Sequence, residues 1–163
     1  KKGDAAWDVK PTRDYFVELF RVSKNQIIFG GSYYSELPGC RCFLIWDKIA
    51  HLTTMADCEF AWTSFDKNAK IFKHARNTSE KRIHPTQKPV PLYKWLLKNY
   101  SKPTDRILDT HLGSGSIAIA ADDMGYKLTG IELDPEYYEA AKNRLKEHQR
   151  QLKKKKKTGF QAG

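Results

Sequence analysis

The residues best suited to chemistry are Asp109-Thr-His111-Leu-Gly113-Ser114-Gly115-Ser116, followed further on by Glu132. A nucleotide-like ligand needs a strand that ends abruptly and glycines that let the backbone come close. It also needs a following helix whose first N–H groups point outward. Asp109, at the end of the preceding strand, is placed to face a cationic amino group. Glu132, at the end of the next strand, is placed to accept both hydroxyls of an adenosine ribose. Gly113, Gly115 and Ala118 also satisfy the loose dinucleotide fingerprint. The turn alone leaves three readings open: a nicotinamide-type cofactor, S-adenosylmethionine, or a glycine turn that only packs.

The surrounding pattern predicts the elements that hold this turn. Arg106–Asp109 reads as a strand, Ser116–Met124 as a helix closed by Gly125, and Lys127–Glu132 as the next strand. Asp134 is the expected cap of a long helix from Pro135 to about Leu152. This is a βαβ order, which implies a parallel sheet covered by helices. Pro89–Asn99 forms an amphipathic helix ahead of it. In the first half, Pro11 and Thr12 open a helix with Tyr15, Phe16, Leu19 and Phe20 on one face. Strands are expected at Gln26–Gly30, Cys42–Trp46, Cys58–Phe65 and Lys70–Lys73, the last two pairing around Asp66-Lys67-Asn68. Residues 75–82 read as a polar loop, and the opening Lys1–Asp8 has no period.

Length and charge bound the rest. At 163 residues, 40% of them hydrophobic, the chain suits one globular domain. No apolar run is long enough to cross a bilayer, and the odd number of cysteines leads to the expectation of a reduced, cytoplasmic protein. Of the net charge of +10, Lys142–Lys157 carries +8, with nine Lys or Arg against Glu147 alone. The run Lys153, Lys154, Lys155, Lys156 and Lys157 is either a solvated tail or a contact for a polyanion. Cys40, Cys42 and Cys58 include no Cys-x-x-Cys pair to join His51 or His74 around zinc, so buried free thiols are expected.

Ahead of the glycine turn stands Arg82-Ile-His84-Pro-Thr86-Gln-Lys88-Pro89. This segment resembles the motif that precedes the cofactor turn in amino-group DNA methyltransferases of the permuted β type. Asp109–Ser116 is similar to that family's cofactor loop, commonly Asp-Pro-Phe-x-Gly-Ser-Gly. Ile131-Glu132-Leu133-Asp134, followed by Tyr137 and Tyr138, resembles its ribose-binding segment. The resemblance extends to the first half, through Tyr15–Phe20, Ile27–Tyr34, Phe43–Lys48 and Cys58–Ser64.

The resemblance implies an α/β, Rossmann-like methyltransferase fold with a mostly parallel sheet in circularly permuted order. It would occupy residues 1–152, with 1–74 on the catalytic side and 84–152 as the cofactor half. A basic tail would follow over 153–163. The implied cofactor is S-adenosylmethionine, held by Thr86, Lys88, Asp109, His111, Gly113, Ser114, Gly115 and Glu132. The implied reaction is methyl transfer to adenine N6 in DNA, with cytosine N4 as the alternative. Double-stranded DNA is the expected partner, contacted in part by Lys153–Lys157, and a homodimer is compatible with the pattern.

Two departures stand out. Thr110 and His111 replace the usual Pro and Phe, as in phage-like members. The family's Asp/Ser/Asn-Pro-Pro-Tyr/Phe tetrapeptide does not occur in these residues; the resemblance places it upstream, so the chain alone is expected to be inactive. His84 is read as a residue of the turn or the cofactor edge and not as a general base. Trp46 and Trp62 are read as core, and Tyr33 or Tyr34 as a candidate lining for a target-base pocket. A nicotinamide-dependent oxidoreductase would have no use for His84–Lys88. A non-catalytic DNA-binding remnant would have none for Glu132.

Overall fold

The computed structural model describes residues 10–49, 56–75 and 82–159, with side chains as far as Lys155. The irregular opening, His51 and residues 76–81 of the polar stretch lie outside this range. The chain divides into two compact units, Lys1–Arg76 and Asn77–Gly163.

In the first unit, helix α1 (Arg13–Val22) buries Phe16, whose ring lies 5.2 Å from that of Tyr34. Strand β1 (Ile27–Phe29) stops at Gly30, whose φ of 71° is the left-handed conformation that glycine adopts without strain. A short 3-10 turn (Gly31–Tyr33) follows, then β2 (Phe43–Asp47), β3 (Cys58–Thr63) and β4 (Lys70–Lys73). A Cβ on Gly31 would stand 2.4 Å from Trp62 Cβ, so glycine is needed for the backbone to pass. Leu44 and Trp46 alternate inward along β2, as period-two burial requires. Trp46 and Trp62 are core, as expected. Their indole N–H groups donate to the carbonyls of His74 and Pro38.

The strand order is β1-β3-β2-β4, which corrects the expected pairing of β3 with β4. β2 lies between them, antiparallel to β3 and parallel to β4. The segment 64–69 contains no glycine to supply the positive φ of a tight hairpin. It passes the start of β2 instead, where Arg41 holds Asp66 Oδ1 and Asn68 Oδ1, each at 3.0 Å. Parallel and antiparallel pairs thus share this sheet. The thiols also differ from expectation: Cys42 is buried, Cys40 half-buried, and Cys58 exposed at the start of β3.

The second unit contains α2 (Val90–Tyr100), β5 (Arg106–Asp109), α3 (Ser116–Met124), β6 (Lys127–Gly130) and α4 (Pro135–Gly159). β5 and β6 pair in parallel from Arg106↔Lys127 to Asp109↔Gly130, giving the expected βαβ unit. Leu97, Ala120 and Ala121 form its core, with Ile107 and Leu128 of the two strands packed against them. β6 ends two residues earlier than expected, which leaves Glu132 in the turn that leads into α4. Asp134 caps that helix, accepting from the N–H groups of Glu136 and Tyr137.

α4 runs to Gly159, well past the expected end near Leu152. Lysine is a good helix former, and no glycine or proline interrupts the run before Gly159. Polar contacts tie α4 to α3: His148 Nε2 stands 2.6 Å from Asp123, and Gln149 donates to Asp122; Lys94 of α2 meets the same Asp123 at 2.6 Å. Among the described residues, no helix is long and apolar enough to cross a membrane.

Candidate cofactor site

The site is built on the turn that leaves β5. Asp109 closes that strand, and its carbonyl accepts the Ile131 N–H at 2.8 Å. Its Oδ1 accepts the His111 N–H at 2.9 Å. Leu112 N–H donates to the Ile131 carbonyl, and Gly115 N–H to the Leu112 carbonyl. Gly113 donates to Glu132 Oε2 at 2.7 Å, while Asp134 N–H donates to Glu132 Oε1 at 3.0 Å. The turn is therefore held by its own backbone donors. Each oxygen of Glu132 keeps a second lone pair that can accept a hydroxyl.

Gly113 and Gly115 have φ values of 51° and 69°. A Cβ at Gly115 would lie 3.0 Å from Ala141 Cβ, so close packing on α4 adds to the backbone requirement there. Gly130 matters for a related reason: its Cβ would stand 2.9 Å from a methyl of Leu112.

His84 lies against this turn. A Cβ at Gly113 would contact its ring at 3.5 Å, and the ring meets Tyr137 edge-on at 4.4 Å between centroids. Its Nδ1 accepts the Thr86 N–H at 3.3 Å and faces Thr86 Oγ1 at 3.0 Å. Burial holds the His84 imidazole below its usual pKa, with the Glu132 carboxylate opposing. That suits a neutral ring with an accepting Nδ1 and gives His84 a supporting place beside the turn.

Burial also pushes the Asp109 carboxyl above its usual range, against the opposing His111 N–H and the positive charge of Lys88. Lys88 acts on Asp109 and His84 alike. The structure thus brings Lys88, Asp109, His111, Gly113 and Glu132 into one neighbourhood. The Thr86 hydroxyl is turned to His84. The Ser114 hydroxyl is buried against Ser116 Oγ at 3.0 Å, so a ligand would meet Ser114 through its backbone. Of the tyrosines offered as pocket lining, Tyr33 is exposed and Tyr34 packs on Phe16.

Arg144 was not singled out from the sequence. From α4 it donates to the Ser114 carbonyl at 3.0 Å and to Ser116 Oγ at 2.9 Å. Tyr137, Ala141, Arg144 and His148 all face the turn or α3, and the spacing i, i+4, i+7, i+11 carries that signal.

Two carboxylates, a lysine and a glycine turn opening a helix form a donor and acceptor set that fits a nucleoside carrying an amino-acid group. A carboxylate suits ribose hydroxyls, and a half-buried one suits an ammonium. The family model of N6/N4 methyltransferases, described as DNA methylase, matches residues 7–143. The chain belongs to this DNA methylase family. A type II methyltransferase of Lactococcus lactis subsp. cremoris, M2.LlaDCHI, is 40% identical over 62 residues, which is 38% of this chain and 23% of that protein.

Two solved structures carry the family's fold. M1.HpyAVI, crystallised as its SAM complex, is 26% identical with a TM-score of 0.52, over 63% of this chain and 60% of that one. The cytosine-N4-specific PvuII DNA methyltransferase is 15% identical with a TM-score of 0.62, over 85% of this chain and 75% of that one. The α/β, Rossmann-like architecture is therefore the family's own. This chain spans a third or less of the curated relatives' lengths, 33% and 23%.

Proposed function

We propose that this chain binds S-adenosylmethionine and belongs to an enzyme that methylates an exocyclic amino group in DNA, adenine N6 in the first place. The observation that carries the reading is the joining of Gly113 to Glu132 beside the half-buried Asp109. In this reading Glu132 receives the ribose hydroxyls, and Asp109 faces the ammonium of the methionine moiety. Lys88, Thr86 and His111 border the same end, and Gly113, Ser114 and Gly115 offer backbone. The bound cofactor supplies a methyl group on a sulfonium, made electrophilic by its positive charge.

An exocyclic amine is a poor nucleophile because its lone pair is delocalised into the ring. It must also leave the duplex stack to be reached. Residues 1–163 contain no Pro-Pro-Tyr or Pro-Pro-Phe. The reading therefore gives them the cofactor and assigns the grip on the target base elsewhere.

The test is labelled methyl transfer to duplex DNA by residues 1–163 and by a longer chain that includes the tetrapeptide. The longer chain is expected to transfer, and the shorter is not. Mass spectrometry of the digested product reads the base. N6-methyladenine supports the assignment, and N4-methylcytosine replaces the base while leaving the cofactor assignment in place.

A further inference from the structure

The helix α4 has two opposite faces. Tyr137, Ala141, Arg144 and His148 dock it: their contacts are with His84, Gly115, the Ser114–Ser116 pair and Asp123. Lys142, Lys146, Arg150 and Lys153 are all exposed. At about 100° per residue these four fall within an arc of about 80°. The docked positions cluster on the other side of the helix, roughly 190° away. At about 1.5 Å per residue the four cations span about 16 Å along the axis.

We propose that this outer face is a ridge that binds the phosphate backbone of duplex DNA. A helix with its opposite side fixed presents a row of cations at regular intervals, which a disordered lysine tail does not. The cations stand about 4.5 to 6 Å apart along the axis, and duplex DNA, with a negative charge for about every 1.7 Å of its own, is a polyanion dense enough to offer each of them a phosphate. Two of the four cations have carboxylate neighbours on their own helix: Lys142 meets Glu139 at 3.0 Å and Arg150 meets Glu147 at 2.8 Å. Both pairs are exposed to water, where such pairs are weak, so phosphates compete for the cations at little loss. Of the lysine run, Lys153 and, by its position along the helix, Lys157 fall within the arc of the ridge. Lys154, Lys155 and Lys156 lie at other angles around the helix.

The inference rests on the reading of the chain as part of a DNA methyltransferase and names the surface that meets the substrate backbone. It is tested by fluorescence anisotropy of residues 1–163 with a labelled duplex over a series of salt concentrations. One triple variant removes three ridge cations, Lys146→Gln, Arg150→Gln and Lys153→Gln. A charge-matched control removes three others, Lys154→Gln, Lys155→Gln and Lys156→Gln. Gln and Lys have similar helix propensities, so both variants keep α4.

The ridge variant is expected to lose at least tenfold in affinity and about 2 to 3 in the log–log salt slope, at about 0.9 per phosphate contact. The control is expected to lose markedly less. Equal losses in the two variants would mean that net charge alone attracts DNA, and would overturn the ridge. So would a parent chain that does not bind the duplex. Binding of S-adenosylhomocysteine, measured on the same three proteins, is expected to be unchanged. Its absence from the parent chain would instead overturn the cofactor reading, while the salt slopes still judge the ridge.

Discussion

Gly113 donates its backbone N–H to Glu132 Oε2 at 2.7 Å, across 19 residues of chain. One carboxylate therefore ties the glycine turn to the entry of α4, since its other oxygen accepts from Asp134 N–H. Ligand contact and turn geometry depend on the same side chain.

Replacing Glu132 separates these two roles. Glu132→Ala removes both and is expected to weaken S-adenosylhomocysteine binding by about ten- to hundredfold, from the loss of about 1.5–3 kcal/mol of charge-assisted hydrogen bonding. Glu132→Gln keeps one acceptor oxygen for a backbone N–H and is expected to fall between Ala and the parent. Calorimetry reads both variants, and an affinity unchanged in Glu132→Ala would remove the ribose assignment.

The two turn glycines are expected to differ in their tolerance of a methyl group. At Gly113 an added Cβ meets His84 at an ordinary 3.5 Å, so Ala costs only its backbone conformation, about 1 kcal/mol. At Gly115 the same backbone cost is joined by a 3.0 Å approach to Ala141 Cβ on a docked helix. Urea denaturation of Gly113→Ala and Gly115→Ala should find Gly115→Ala less stable by about 1 kcal/mol or more. Equal stabilities would show that α4 yields at Ala141.

Asp109 gives the site a pH dependence of defined sign. Burial raises its folded pKa, so in the free protein its ionisation opposes folding, and the cost grows as pH rises from about 3.9 through the raised value. A bound ammonium needs the ionised form, so cofactor affinity should fall as pH drops through that same value. The loss should set in above the ordinary aspartate range. Titrations of S-adenosylhomocysteine in steps of pH should show it, and Asp109→Asn should bind weakly at every pH with the step abolished. A step that survives in Asp109→Asn would assign the titration to another group.

The second unit was legible in the sequence because its signals are local. The strand Arg106–Asp109, the glycine turn, Gly125 at the end of α3 and the Asp134 cap each lie within a few residues of what they determine. The sheet of the first unit was not, because β2 pairs with both β3 and β4, and such pairings join segments distant in sequence. The residues of the turn were readable by type, but not the directions of their side chains. The Ser114 hydroxyl meets Ser116 Oγ, which also accepts from Arg144 of α4, and only the packing of that helix reveals this arrangement. The end of α4 was misplaced because a lysine run reads as a tail by composition, while its propensity continues the helix.

In the proposed reading the turn from Asp109 to Ser116, with Glu132, holds an adenosine-containing sulfonium cofactor. The most direct test is calorimetry of residues 1–163 with S-adenosylmethionine, S-adenosylhomocysteine and NAD in turn, on one preparation. Saturable binding of the first two and none of NAD is expected. Binding of NAD without binding of either methionine derivative would contradict this reading.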